Sequence, residues 1–159
     1  MNPRIVGLKV VLFTLVAPGT VTVIVPGWLL DGWRGGPAGG PWSAGALLVL
    51  AGALLYAWCA WAFAHYGQGT PAPIDPPLAL VSRGLYRRTR NPMYLGVLTV
   101  LLGEAVWFRS SRLLAYAGAM FLVFHLFTVL YEEPAHRRRF GAAFDAYCRE
   151  VPRWVPRPW

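Results

Sequence analysis

The chain has little cysteine and little acid: two Cys and seven Asp or Glu among 159 residues. Cys59 lies inside a long apolar run and Cys148 lies in the C-terminal tail, so the two are poorly placed for a disulfide. No CxxC motif and no Cys/His cluster accompanies them, and we expect no bound metal. Both cysteines are interpreted as packing residues.

The shortage of acid leaves an excess of base, with 15 Lys and Arg and a net charge of +8. A basic chain can bind nucleic acid, but these arginines lie at the ends of apolar runs. We therefore interpret the charge as membrane topology and contact with anionic headgroups. Membrane lipids are expected partners, and nucleic acid is not.

Apolar residues make up 56% of the chain and occur in four long runs. The runs cover about residues 5–30, 42–66, 92–108 and 113–131. Each approaches the roughly 20 residues needed to cross a bilayer. The sequence predicts an all-α fold, an integral membrane helical bundle of about four transmembrane helices in a single domain over 1–159. The first run carries Pro18 and no clear cleavage site, so we expect a retained helix kinked near Pro18 rather than a signal peptide.

The arginines are unevenly distributed along the chain. Most lie near the N-terminus, between runs two and three, or after run four; the opposite side has only Arg34, Arg109 and Arg112. The positive-inside rule places both termini and the 67–91 loop in the cytoplasm. Residues 67–77 are too rich in proline for a regular helix, and we expect an extended segment there.

Runs three and four form an antiparallel hairpin, because only a short turn at 109–112 separates them. Arg90 and Asn91 precede one run, and Glu132 and Glu133 follow the other, so the hairpin brings them to one end. We expect one glutamate to face a cleft and the other to pair with an arginine such as Arg90. A solvated acidic helix end is the alternative.

His125, Thr128 and Glu132 share one face of an α-helix by their spacing. Polar groups in a span generally face the bundle interior or a wet cavity, so we expect this face to line the cleft. For His125 alone, a structural hydrogen bond between helices is the alternative. Glu104 lies near the outer end of run three, where Arg109 and Arg112 are its expected partners.

For the tail, residues 132–159, the sequence predicts a C-terminal amphipathic cytoplasmic helix followed by an extended segment. Its apolar residues recur at helical spacing: Phe140, Phe144, Tyr147, Cys148 and Val151. We expect this helix to lie on the membrane or to cap the hairpin. The tryptophan-rich end is typical of an interfacial anchor.

An ordered set of short motifs resembles the isoprenylcysteine carboxyl methyltransferase and phospholipid methyltransferase superfamily, in its small prokaryotic form. The set covers about residues 67–157. It consists of Gly84-Leu85-Tyr86, Arg90-Asn91-Pro92-Met93-Tyr94-Leu95-Gly96, Glu132-Glu133, Phe140-Gly141, Tyr147 and Val151-Pro152-Arg153. Asn91 departs from the family, which more often has histidine there, and asparagine cannot titrate near neutral pH.

The resemblance implies S-adenosylmethionine as methyl donor and a lipophilic or membrane-partitioned acceptor. An isoprenyl carboxylate, a phospholipid amine and a small thiol all remain open, and the implied location is a prokaryotic inner membrane. Arg90 and Glu132 are the implied catalytic residues. The implied cofactor-binding residues are Gly84, Tyr86, Arg90, Asn91, Pro92, Tyr94, His125, Glu132, Glu133 and Tyr147. The 67–83 segment is expected to close over the cofactor.

Two other functions remain open from the sequence. Sterol-type membrane reductases have comparable C-terminal patterns and use a nicotinamide nucleotide, although they generally have more spans and more basic groups for the extra phosphates. A non-enzymatic membrane scaffold is the other alternative, and it predicts no cofactor affinity. The sequence leaves the oligomeric state open.

Overall fold

The computed structural model describes residues 3–34, 36–38, 40, 43–63, 65, 80 and 82–157. Regular structure in these residues is helical throughout, with no strand. This confirms the predicted all-α class. The extended segment expected at 67–77, and its closure over a ligand, lie outside the described residues.

Three helices are long and apolar enough to cross a membrane: Gly7–Leu29, Ala44–Ala62 and Ser111–Phe140. A fourth apolar helix, α4 (Pro92–Trp107), has 16 residues. At 1.5 Å per residue it spans about 24 Å, less than the roughly 30 Å of a bilayer core. The protein is therefore a helical membrane protein with three candidate spans, and the predicted count of four depends on α4.

The first span consists of α1 (Pro3–Gly19), a π-helix (Thr20–Ile24) and α2 (Val25–Leu29). Pro18 lies inside α1 and has no N–H to continue the hydrogen-bond ladder. The π-helix begins two residues later, at the place where the sequence predicts a kink. Thr14 and Thr22 each donate a hydroxyl to the carbonyl four residues earlier, a bond that often bends helices.

Helix α3 (Ala44–Ala62) packs against α4 along glycines that are spaced seven residues apart on both helices. These are Gly45 and Gly52 on α3, and Gly96 and Gly103 on α4. A Cβ on Gly52 would lie 2.6 Å from the carbonyl oxygen of Gly96, and one on Gly103 would lie 2.6 Å from the backbone nitrogen of Val49. Small residues permit this close backbone approach, which supplies the packing energy between helices in a bilayer. We call these four residues the glycine seam.

Helices α4 and α5 (Ser111–Phe127) form the predicted hairpin. Pro92 occupies the first turn of α4, where its missing N–H has no intrahelical acceptor. At the other end of the hairpin, Arg109 adopts a positive φ of 48°. Ser110 then accepts a hydrogen bond from the Leu113 N–H and caps α5.

The helix of the fourth run does not end near residue 131 but continues to Phe140, so Glu132 and Glu133 do not form the acidic helix end that was the alternative. The chain passes from α5 through a π-helix (Thr128–Glu132) into α6 (Glu133–Phe140). Pro134 does not stop the helix, because it falls in the first turn of α6 and the π-helix has already rearranged the hydrogen bonds there.

The amphipathic helix predicted for the tail is present, but the described tail contains two helices rather than one. Gly141 adopts a φ of 51° and separates α6 from α7 (Ala142–Glu150). Helix α7 then buries Phe144, while α6 continues the axis of the fourth run. Glycine permits this turn because it has no Cβ to clash at positive φ.

The glycine seam predicts the effect of adding a single methyl group. Gly52→Ala should lower the free energy of unfolding by about 1–3 kcal/mol, because its Cβ would overlap the backbone of α4. Detergent-solubilised protein titrated with a denaturing detergent provides the measurement. Gly118→Ala is the matched control, since no atom lies within 4 Å of its Cβ position. Equal destabilisation by both changes would contradict the seam.

Candidate active site

A cavity of about 180 Å³ lies where the start of α4 meets the junction of α5 and α6. Apolar residues of the first span and of α5, including Phe13, Val21 and Phe124, form one side. Polar residues from 90–94 and 128–136 form the other. The predicted hairpin thus brings its two polar ends together.

Glu132 faces the cavity and is held by hydroxyl groups. Tyr94 donates to one carboxylate oxygen at 2.7 Å, and Thr128 donates to the other at 3.3 Å. Tyr94 is itself fixed by stacking on Phe124, with ring centroids 4.6 Å apart. Within the described part of the chain, no arginine or lysine lies within ion-pair distance of Glu132. A carboxylate in this setting can bind a cationic ligand.

Glu133 is the acid that pairs with arginines, and its side chain is 7% exposed. Arg90 donates to one oxygen at 3.0 Å. Arg153 donates to both, at 2.7 Å and 3.1 Å. Arg137, one turn along α6, lies 3.9 Å away. The two adjacent glutamates therefore divide as expected, with one towards the cleft and one in ion pairs.

Arg90 has a free donor besides this ion pair. Its Nη1 binds Glu133 and lies 2.9 Å from Sγ of Cys148. Its Nε is buried and has no hydrogen-bond partner in the described residues. Arg90 is one of the residues that line the cavity.

The C-terminal strap, residues 151–157, packs along the segment that precedes α4. The Arg90 N–H donates to the Pro152 carbonyl at 2.9 Å. Thr89 Oγ1 and Asn91 Nδ2 donate to the Arg153 carbonyl, at 2.9 Å and 3.1 Å. These residues, for which the sequence predicts an interfacial anchor, pack against the segment that carries Arg90 and Asn91 of the cavity lining.

Arg153 and Trp154 are not among the predicted site residues. Trp154 donates its indole N–H to Nδ1 of His125 at 3.0 Å, and its ring packs against Phe121 and Tyr94. A basic and aromatic tail after an amphipathic segment is also typical of a membrane anchor. The motif Val151-Pro152-Arg153 was the only signal in the sequence for the contact that forms.

Tyr86 and Tyr147 close the cavity from the side of α7. The Tyr147 hydroxyl donates to the Tyr86 carbonyl at 2.6 Å. Burial raises the pKa of both phenols, that of Tyr86 well above its usual value. Both hydroxyls therefore remain neutral at physiological pH.

Seven of the ten predicted site residues line the cavity: Tyr86, Arg90, Asn91, Tyr94, Glu132, Glu133 and Tyr147. The other three lie outside the lining. Pro92 is buried in the first turn of α4. Gly84 lies in a second hollow on the surface, and His125 bonds Trp154.

The π-helix explains why His125 does not share the face of Thr128 and Glu132. Each residue of a π-helix turns through a smaller angle than a residue of an α-helix. Glu132 is therefore rotated back towards the line of Phe124 and Thr128, away from His125. Phe124, Thr128 and Glu132 are the residues of α5 and the π-helix that line the cavity. The prediction that His125 lies on the same helix face as Thr128 and Glu132 is therefore wrong.

The predicted partners of Glu104 are also wrong. Its side chain is buried, and Oε2 has no hydrogen-bond partner in the described residues. Arg112 lies 3.8 Å from Asp31 instead, and that exposed pair forms part of the opposite end of the bundle.

Comparison with protein families finds a match between residues 42–143 and phospholipid methyltransferases. The chain belongs to the phospholipid methyltransferase family. This membership makes the protein a membrane methyltransferase and confirms the resemblance inferred from its motifs. No curated protein and no solved structure matches the chain. Tyr147, Arg153 and Trp154 lie beyond the matched residues.

The ion pairs of Glu133 predict a large effect of removing its charge. Glu133→Gln should lower the free energy of unfolding by about 3 kcal/mol, because it leaves Arg90 and Arg153 partly buried without a counter-charge. Asp145→Asn is the control, since its pair with Arg137 is half exposed and worth less than about 1 kcal/mol. Denaturation in detergent would measure both. A Glu133 effect as small as that of Asp145 would contradict the assignment.

Proposed function

We propose that this methyltransferase transfers the methyl group of S-adenosylmethionine to a lipophilic acceptor in the cavity. The observation that carries the proposal is the pair of unmatched groups at its polar end. Glu132 has no arginine or lysine partner among the described residues, and Nε of Arg90 has no acceptor there. An α-amino acid carries one cation and one anion, and it satisfies both groups.

Glu132 would bind the ammonium group of the cofactor, and Arg90 would donate Nε–H to its carboxylate. Tyr94 and Thr128 keep the Glu132 carboxylate oriented by their hydroxyls. Bound S-adenosylmethionine supplies an electrophilic methyl group on sulfur. The chain's own residues need only align the acceptor with that methyl and exclude water. The apolar wall of α1 and α5 serves the second task.

The acceptor that this cavity suits best is a phospholipid amine. Arg90, the arginine in the lining, already binds Glu133 and Cys148 and would also hold the cofactor's carboxylate. An isoprenyl carboxylate would find no spare cation among the described residues of the lining, because Arg90 is already engaged. A neutral amine needs no cation, and the aliphatic chains of the lipid match the apolar wall of Phe13, Val21 and Phe124. A small thiol would leave that wall unused.

Family membership favours this function over a nicotinamide-dependent reductase or a scaffold. Thermal stability of the purified protein separates the three. S-Adenosylhomocysteine should raise the melting temperature, and a nicotinamide nucleotide should not. A scaffold would respond to neither.

Charge removal at Glu132 provides the residue-level prediction. Glu132→Gln should weaken S-adenosylhomocysteine binding by at least about tenfold, because one charge-assisted contact to the ammonium is lost. Calorimetry in detergent measures the affinity. Glu104→Gln is the control, a buried acid outside the cavity lining, and it should leave the affinity unchanged. Unchanged affinity in Glu132→Gln would overturn this role.

The acceptor is identified by the chemical stability of its product. Membranes supplied with a methyl-labelled donor should yield a labelled lipid that survives mild base, as an N-methyl group does. Release of volatile label by base would indicate a methyl ester and would contradict the amine assignment. A label that travels with a small thioether would contradict it as well.

We also propose that the site faces the cytoplasm, with both termini on that side. The reason is the uneven distribution of arginines along the chain. The segments around 83–90 and 137–157 carry most of the positive charge, and such segments generally lie in the cytoplasm. The same labelling experiment tests it in sealed vesicles. Product should form when the donor is outside inverted vesicles and not when it is outside right-side-out vesicles.

A further inference from the structure

A second hollow, about 710 Å³ in volume, shares the side chain of Tyr147 with the active-site cavity. Three arginines line it: Arg87, Arg88 and Arg157. Methyl transfer at Glu132 and Arg90 uses none of them. Gly84, which the family motif singled out, lies here rather than in the cavity.

Tertiary structure assembles this hollow from two distant segments. The Arg157 N–H donates to the Arg88 carbonyl at 3.1 Å, so the C-terminal strap carries Arg157 to the pair formed by Arg87 and Arg88. Gly84 adopts a φ of 59°, and among the described residues a Cβ there would lie within 4 Å of Trp58 Nε1 alone, at 3.7 Å.

The charge in the hollow favours an anion. Among the described residues, its lining holds three arginines and one acid, Glu150, so positive charge predominates there. Arg87 and Arg157 are exposed, and among the described residues neither lies within ion-pair distance of a carboxylate. Guanidinium forks match the oxygens of a phosphate group. The hydroxyl of Ser82 adds a neutral donor to the same lining.

The depth of the hollow points to a lipid as the source of the phosphate. Trp58, beside Gly84, and Trp61 lie near the end of α3, with ring centroids 5.5 Å apart and both rings about half exposed. Exposed tryptophans at the end of a span lie at the level of the headgroups. A lipid phosphate occupies that level.

We propose that this hollow binds the phosphate of an anionic lipid headgroup, with Arg87 and Arg157 as its ligands. The lipid chains extend along the exposed tryptophans of α3. The site is separate from the methyl-transfer cavity and does not depend on the proposed acceptor. Since Tyr147 lines both, an occupied hollow lies directly beside the active site.

Calorimetric titration of the purified full-length chain in neutral detergent tests the site. The probes are dioctanoyl phosphatidylglycerol, dioctanoyl phosphatidylcholine and inorganic phosphate. The variant Arg87→Gln/Arg157→Gln removes the two ligands and keeps the backbone bond of Arg157 to Arg88. Arg138→Gln/Arg149→Gln is the control, since it removes the same charge from exposed positions outside the hollow.

Saturable phosphatidylglycerol binding near one equivalent is expected, with weaker phosphatidylcholine binding because choline's cation opposes the arginines. The hollow variant should lose at least about tenfold in affinity, as for one charge-assisted contact, and the control should lose less than threefold. Equal loss in both variants, or no saturation, would overturn the proposal. Binding of inorganic phosphate alone would overturn the lipid assignment. S-Adenosylhomocysteine affinity should be unchanged in the hollow variant, so the two proposals fail separately.

Discussion

The carboxylate of Glu133 is the contact on which the site depends. It binds Arg90 at the start of α4 and Arg153 in the C-terminal strap, and it belongs to α6 itself. Three segments that are distant in sequence therefore meet at one charge. Because Glu133 neutralises Arg90, its neighbour Glu132 is left without an arginine. The cavity therefore has a carboxylate without an arginine partner, Glu132, beside a carboxylate that is held in ion pairs, Glu133.

The π-helix at Thr128–Glu132 makes that division possible. It rotates Glu132 into line with Thr128 and Phe124, and it carries the helix past Pro134 so that Glu133 begins α6. A π-helix is less stable than an α-helix and occurs frequently at functional sites. Here the hydroxyls of Tyr94 and Thr128 bind the carboxylate that the π-helix presents.

The glycine seam provides the rigid support for this arrangement. Helix α4 is too short to count clearly as a span, yet α3 contacts it along the backbone at Gly52 and Gly103. Its first turn holds Tyr94 and is preceded by Asn91, which the strap fixes through the Arg153 carbonyl. Close packing on one side and the strap on the other thus fix the polar end of α4.

The sequence by itself determined the helical membrane class, the hairpin of runs three and four, and the meeting of Arg90 with one of the two adjacent glutamates. These follow from long apolar runs, a short turn and opposite charges, all of which are local signals. Only tertiary structure decided the π-helix, the place of His125 and the role of Arg153 and Trp154. Helical register depends on backbone hydrogen bonds that spacing alone does not reveal. A basic, aromatic tail suits both a membrane surface and a protein wall, and only the partners it meets distinguish the two.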